Sequence, residues 1–284
     1  MKLPSHQISA FLELAKTKNF SKAADNLGVT QSALSQRVSN LESDLEATLL
    51  IRGTTGLQLT PAGELLLRYC QTAESLEDEL LGKLKSSSSA LSGVIRVAGF
   101  SSVMRSMIIP SLAPFLRANP QVTCEFKSYE VDELFEVLKS SKADLIVTDH
   151  PLKKTGVIEH ILGKEEYVVI ESVKHKTPAD LYLDHGPFDT ATEDFFQAQG
   201  GIPRNYRRSF MGDVYGIING VEEGLGRAVM SKHLIKKNTK VKIISGYKKF
   251  SKTVSLNYFD QPFYSALHKA VVQELQEQAL QHLA

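Results

Sequence analysis

The sequence predicts an α/β protein: a small helical N-terminal part, then a larger part whose alternating strands and helices suit two α/β lobes. Three observations carry this. Apolar residues recur at helical spacing through residues 8–45 and again through 62–80. A serine run, Ser86-Ser87-Ser88-Ser89, reads as a linker between the two parts. From Val94 onward short apolar runs alternate with helical stretches, which argues for parallel strands in an α/β domain. The 284 residues suit about two domains and bury a sizeable core without disulfide or metal staples.

In chain order, Ile8, Phe11, Leu12 and Ala15 share one helix face, with Ser5 as its expected cap. Phe20-Ser21 announces a second helix, with Ser21 as cap, Ala23, Ala24 and Leu27 inside and Gly28 at its end. Thr30 caps a third, whose stripe is Leu34, Val38, Leu41 and Leu45. IRGTTGLQLT reads as a small β-hairpin over 50–59. Thr60-Pro61 opens a fourth helix, where proline loses nothing because its N–H would be unpaired in any case. Its residues Ala62, Leu66, Tyr69, Ala73, Leu76 and Leu80 repeat as a heptad seam for pairing two subunits. Beyond the linker, strands are expected at 94–100, 122–130, 143–150, 157–162, 165–172, 181–186, 205–210, 227–234 and 253–259. Helices are expected up to 118, at 132–141, 191–199 and 213–223, with a last one at 263–281.

Composition excludes several classes. Apolar residues make up 42% and charged residues 23%, so the chain is neither disordered nor fibrous. No apolar run reaches membrane-spanning length, and the N-terminus has no long apolar core or small-residue cleavage site, so the cytoplasm is the expected location. Two cysteines, Cys70 and Cys124, suit a reducing compartment. The net charge is +1, so nucleic-acid binding must be argued from placement rather than abundance of cations. No metal motif, dinucleotide fingerprint, phosphate loop or hydrolase elbow is present, so neither a metal nor a cofactor is expected. The lysines at 236–242 and 248–249 read as a solvated edge.

The third helix has a distinctive polar side. Ser32, Ser35, Gln36 and Ser39 lie opposite the Leu/Val stripe, where an ordinary solvated face would carry Glu and Lys. Short hydroxyls and an amide allow close approach to a major groove and hydrogen bonds to base edges. Arg37 and Asn40 flank this side. The preceding helix and Gly-containing turn complete a helix-turn-helix. The same pattern also fits a plain αα-hairpin, and the wing and heptad helix decide for DNA reading by a dimer.

FSKAADNLGVTQSALSQRVSNLESDLEATLLIRGTTGLQLTPAG closely resembles the DNA-binding signature of LysR-type transcriptional regulators. The match covers the Ala-Ala pair, the TQSALSQ run, the Leu-Glu pair, the segment around Ile51-Arg52 (Ile replacing the usual Phe) and the Thr-Pro-Ala-Gly helix start; Ser32 stands where Pro is usual. The remainder resembles the family's inducer-binding region in layout. The resemblance implies a winged helix-turn-helix over residues 1–60, a linker (dimerisation) helix and Ser-rich hinge over 61–92, and a two-lobed, periplasmic-binding-protein-like α/β effector domain over 93–284. One lobe would take about 93–160 and 262–284, the other about 161–261. It further implies promoter DNA as partner, a dimer or a tetramer built from dimers, and RNA polymerase as a further candidate partner. Gln31, Ser32, Ser35 and Arg37 become expected base or phosphate contacts, with Gln36 and Ser39 on the same side and Arg52 in the wing.

The effector is expected at the carboxyl ends of strands, between the lobes. There Phe100 precedes Ser101 and Ser102 at a helix start, a combination that suits a carboxylate. Asp149, His150 and Asp213 are the other expected lining residues. Asp149 and Asp213 could jointly hold a cation, as an amino acid would require, or could merely cap helices or line a hinge. The rival class is an α/β enzyme or carrier with a helical oligomerisation module, against which stands the lack of a nucleophile–base set.

Overall fold

The computed structural model describes residues 3–53, 56–85 and 91–283; the serine run at 86–89 lies outside them. The chain divides into two compact units, the second taking Leu91–Leu138, Ala143–Pro262 and Ala266–Ala284.

The first unit contains α1 (Ser5–Thr17), α2 (Phe20–Asn26), α3 (Gln31–Asp44), a hairpin of β1 (Leu50–Gly53) and β2 (Gly56–Leu59), and α4 (Pro61–Lys85). Two caps differ from expectation. Pro4, not Ser5, precedes α1. The cap of α2 is Asn19, which accepts from the Lys22 N–H at 3.0 Å, so Phe20 and Ser21 are already helical. Asn is as good a cap as Ser, and the one that comes first in the chain takes the position. Gly28 follows α2 at φ +63°, a left-handed turn that sets the angle between α2 and α3. Thr30 caps α3 through the Ala33 N–H at 3.2 Å.

The inward faces of these helices make two adjoining cores. Ala10, Leu14, Ala23, Ala24, Leu34 and Val38 form one; Phe11, Leu41, Leu49, Leu66 and Cys70 form the other. The wing is tied to α3 by Glu42, whose Oε1 accepts from the backbone N–H groups of Leu49 at 2.6 Å and Leu50 at 3.1 Å. The start of α4 closes on the same place. Thr60 donates through its N–H to the Leu49 carbonyl at 2.9 Å and accepts from the Gly63 N–H at 3.0 Å. A Cβ at Gly63 would lie 2.2 Å from the Leu49 carbonyl oxygen, which only glycine avoids.

The second unit is built on a seven-stranded mixed sheet. Its strands are β3 (Gly93–Gly99), β4 (Val122–Ser128), β5 (Leu145–Thr148), β6 (Val157–Ser172), β9 (Ala228–Ser231), β10 (Val241–Ile244) and β11 (Phe250–Phe259), ordered β10-β6-β11-β5-β3-β4 with β9 also on β6. A parallel pair, β7 (Leu181–Asp184) and β8 (Arg207–Phe210), is linked to the segment before β9 by one bridge between Tyr182 and Arg227. Among the described strands, β3 pairs in parallel with β4 and β5, and β7 with β8, while β6 pairs antiparallel with β9, β10 and β11, so the expectation of parallel sheets holds for part of the sheet only.

The two expected strands at 157–162 and 165–172 are one continuous β6, which pairs antiparallel with β11 and then with β9 and β10. The apparent break at Gly163 is a bulge: Val254 faces Gly163 and Ser255 faces Ile161, leaving Leu162 as the extra residue. A Cβ at Gly163 would approach Leu283 Cδ1 at 2.8 Å, so a larger residue there would push that side chain aside. Strand β10 has no counterpart among the expected strands; it falls in the lysine-flanked stretch read as a solvated edge and is the edge strand of the sheet.

Helices flank the strands: α5 (Ser101–Val103), continued by a π turn (Met104–Ile108) into α6 (Ile109–Ala118), then α7 (Leu134–Lys139), α8 (Ala191–Gln199), α9 (Val214–Glu222) and α10 (Ala266–Leu283). Helix α10 packs on α6 and β6. Where β5 meets β11 the core is polar but satisfied: Asn257 donates to Thr148 Oγ1 at 3.0 Å, and Thr148 donates to the His150 carbonyl at 2.6 Å. No described helix is long and apolar enough to cross a membrane.

Candidate nucleic-acid interface and ligand cleft

In the first unit, α3 is split lengthwise by its sequence. Leu34, Val38 and Leu41 are buried, while Gln31, Ser32, Ser35, Gln36, Ser39 and Asn40 are exposed and Arg37 is half-buried. The bonds on the exposed side are local. Thr30 Oγ1 and Ser32 Oγ lie 3.0 Å apart, Gln36 donates to Asn40 at 2.7 Å, and Ser21 approaches Gln31 at 3.5 Å. Each of these can be exchanged for a bond to a partner without uncovering apolar surface. Arg52 stands in β1 opposite Leu57, and its side chain lies outside the described residues.

The expected seam of α4 divides. Leu66 is buried in its own unit's core beside Phe11 and Leu41, because α4 must cover α1 and α3 at its first turns. It is therefore unavailable to a second subunit. Tyr69, Leu76 and Leu80 are exposed, at 60%, 40% and 56%, and Ala73 is half-buried between them. Leu65 and Leu84 extend the exposed strip at both ends; a heptad counted through Leu66 passes over them.

In the second unit, polar groups gather beyond the carboxyl ends of strands. Phe100 is half-buried against the core cluster that holds Leu134 and Ile146, and Ser101 and Ser102 begin the helical run after β3. Asp149 follows β5 and takes His150 Nδ1 at 2.8 Å and Lys252 Nζ at 3.1 Å. Burial opposes the charge of Asp149, but the Lys252 ammonium and the two hydrogen bonds outweigh it and hold the carboxyl below its usual range. Lys252 also reaches Asp194 at 3.0 Å, in the first turn of α8.

Asp213 stands at the start of α9. Its Oδ1 caps α9 by accepting from the N–H groups of Tyr215 at 2.7 Å and Gly216 at 3.1 Å, which lowers its pKa. Of the two acids expected to hold a cation together, Asp149 is partnered by Lys252 and Asp213 by the N-terminus of α9. His150 is exposed.

Several groups here escaped the sequence. Arg105 stacks on the Tyr215 ring at 4.6 Å, and His185 approaches Glu130 at 3.7 Å. Deeper, His233 Nε2 lies 2.8 Å from Ser106 Oγ and 3.5 Å from Glu165 Oε1. Burial pushes Glu165 up to about 7, the bonds from Ser231 and Tyr167 only partly offsetting it, and pushes His233 down to about 4. The 3.5 Å contact therefore joins two neutral groups between those values. The thiols differ from a reactive pair: burial, reinforced by Glu74, pushes Cys70 up to about 11, and burial with Asp144 and Glu125 pushes Cys124 up to about 12.

Two family models match the chain. One, described as "Bacterial regulatory helix-turn-helix protein, lysR family", covers residues 5–64; the other, "LysR substrate binding domain", covers residues 88–280. The HTH-type transcriptional regulator YofA of Bacillus subtilis (strain 168) is 27% identical over 239 residues, 82% of this chain and 83% of that protein. HdfR of Yersinia enterocolitica is 29% identical over 60% of this chain, and a probable hydrogen peroxide-inducible genes activator of Streptomyces viridosporus is 32% identical, also over 60%. The chain spans 58% and 54% of the lengths of these last two. Among solved structures, ArgP from Mycobacterium tuberculosis superposes with a TM-score of 0.79 at 19% identity, over 98% of each chain. LysG from Corynebacterium glutamicum with bound effector Arg does so at 0.74 and 18%, over 96% of each. At these identities the superpositions establish the fold.

Proposed function

Because the chain belongs to the LysR family of bacterial regulatory helix-turn-helix proteins, we propose that it is a transcription regulator that reads promoter DNA with α3 and answers to a small molecule held between the lobes of its second unit. The single observation that carries the DNA half is the exposed face of α3. Short hydroxyls and one amide stand on a helix whose opposite face is fully committed to the core. Ser32, Ser35, Gln36 and Ser39 enter the major groove, Gln31 and Arg37 reach bases or phosphates, and Arg52 takes a phosphate or the minor groove. The exposed strip of α4, Tyr69, Ala73, Leu76 and Leu80, pairs two subunits so that two half-sites are read together. A gel shift of the full chain on genomic fragments tests this. The expected result is retention of a few fragments that resist competitor DNA, and uniform or absent retention contradicts it.

For the effector, Ser101 and Ser102 at the helix start favour a carboxylate, and an amino acid is the effector held in one structural neighbour. A peroxide-sensing reading, prompted by one relative's name, is disfavoured by the thiols, both far too high in pKa to form thiolates. RNA polymerase is a partner in this proposal only through the DNA-bound assembly, and the cytoplasm is the place where such a regulator meets its promoters.

A further inference from the structure

Glu165 and Lys252 are direct cross-strand partners on β6 and β11, so their side chains share one face of that ribbon. Lys252 is engaged by Asp149 and Asp194, which leaves three carboxyl groups around one ammonium. Glu165 is completely buried, and its Oε1 accepts no hydrogen bond. His233 Nδ1, on a side chain 3% exposed, is likewise without a partner. Two unpaired buried polar atoms on neighbouring side chains are costly, since each forfeits its hydration without replacement. Every element around them contributes a group: Ser106 from the π turn, Tyr167 from β6, Ser231 from β9, His233 from the turn after it, Asp149 after β5, Asp194 from α8 and Lys252 from β11. Among these described groups, Lys252 is the one cation.

Given a ligand between the lobes, as proposed above, we propose that it carries a positive charge, an ammonium or guanidinium, which Glu165 receives at Oε1 with Asp149 and Asp194 as supporting charges. The Ser106–His233 contact, which joins a residue after β3 to one after β9, parts to admit it. His233, neutral, then offers Nδ1 as a second partner. Without ligand the missing cation is replaced by a proton on Glu165; the incoming cation expels that proton to solvent, so charge is conserved at the site. Lys252 stays with its two aspartates throughout.

Isothermal titration of the full chain at neutral pH, in phosphate and in Tris, tests this with four probes: arginine, agmatine, norvaline and succinate. Arginine and agmatine are expected to bind, with norvaline and succinate at least about tenfold weaker. Since Glu165 is about half protonated near pH 7, each cation bound should release about half a proton, read as a heat that differs between the buffers. Glu165→Gln, isosteric with the protonated side chain, should unfold at no lower a temperature than the parent at neutral pH while losing both the buffer difference and about tenfold in affinity for arginine. Failure of arginine and agmatine to bind at millimolar concentration overturns the cation site, as does binding without proton release that Glu165→Gln leaves unchanged. Succinate binding abolished by Ser101→Ala with Ser102→Ala, with no cation binding, would overturn this inference and leave the effector cleft standing.

Discussion

The exposed side of α3 and the buried cluster around Lys252 and His233 are both polar, yet they are built on opposite plans. On α3 the polar groups bond locally, over a few residues of chain, and stand in solvent: Thr30 with Ser32, Gln36 with Asn40. In the buried cluster they bond across the fold. Lys252 reaches Asp149 over 103 residues, and His233 reaches Ser106 over 127. A surface of the first kind exchanges water for a partner without disturbing the fold. A cluster of the second kind cannot change partners without moving the elements that carry it, which is what a switch requires. Mutations should therefore act on binding alone in the first region and on stability and conformation in the second.

The largest expected effect lies on α4 rather than on α3. Leu76→Asp places a charge in the exposed strip of α4, and burying it unpaired between subunits should cost about 3 kcal/mol or more, about a hundredfold in association. Sedimentation should show the dimer lost and operator binding lost with it; an unchanged oligomer would mean that the strip is not the interface. Next, Gly63→Ala sets a Cβ against the Leu49 carbonyl and should lower the stability of the first unit by about 1–3 kcal/mol, read by denaturant unfolding. A polar replacement such as Gly63→Ser offers no relief, because the Cβ itself meets backbone.

The buried cluster yields a pH dependence of known sign. Glu165 has a folded pKa of about 7 against an ordinary 4.5, so its contribution to stability is full below the lower value and is lost as pH rises through the higher. The loss should be about 3 kcal/mol between about pH 5 and about pH 8, seen as a falling urea midpoint, and Glu165→Gln should flatten that slope. A slope unchanged in the variant would assign the titration elsewhere. On α3 the effects are smaller and confined to binding. Ser35→Ala and Gln36→Ala should each cost about 1–3 kcal/mol of operator affinity with no change in unfolding temperature.

The same contrast explains what could be read from the sequence. Helices α1 to α4 and the wing were legible because their signals are local: Thr30 before its helix, Gly28 after the one before, Thr60-Pro61 ahead of a heptad. Leu66 was misassigned because spacing tells which residues share a face, not which neighbour covers it. In the second unit most strands were legible, but Gly163 disguised one long strand as two, and β10 was hidden among lysines. Lys252, Asp194, Glu165 and His233 could not be found at all. Each looks ordinary in its own segment; the pairing of β6 with β11 and with β9, and the packing of α8 beside them, bring them together. Asp213 was visible as an acid before a helix, and the capping role foreseen as its alternative use is the one it has.

The central claim is that the exposed face of α3 selects DNA sequence while the rest of the molecule supports it. Repeated selection from fragmented genomic DNA, run in parallel with the full-length chain and with its Ser35→Ala/Gln36→Ala double variant, tests this most directly. The parent chain should enrich a recurring sequence with two related half-sites about one helical turn or a multiple apart, and the variant, equally folded, should retain DNA without enriching that sequence. Enrichment of the same sequence with the same affinity by both proteins would contradict the claim.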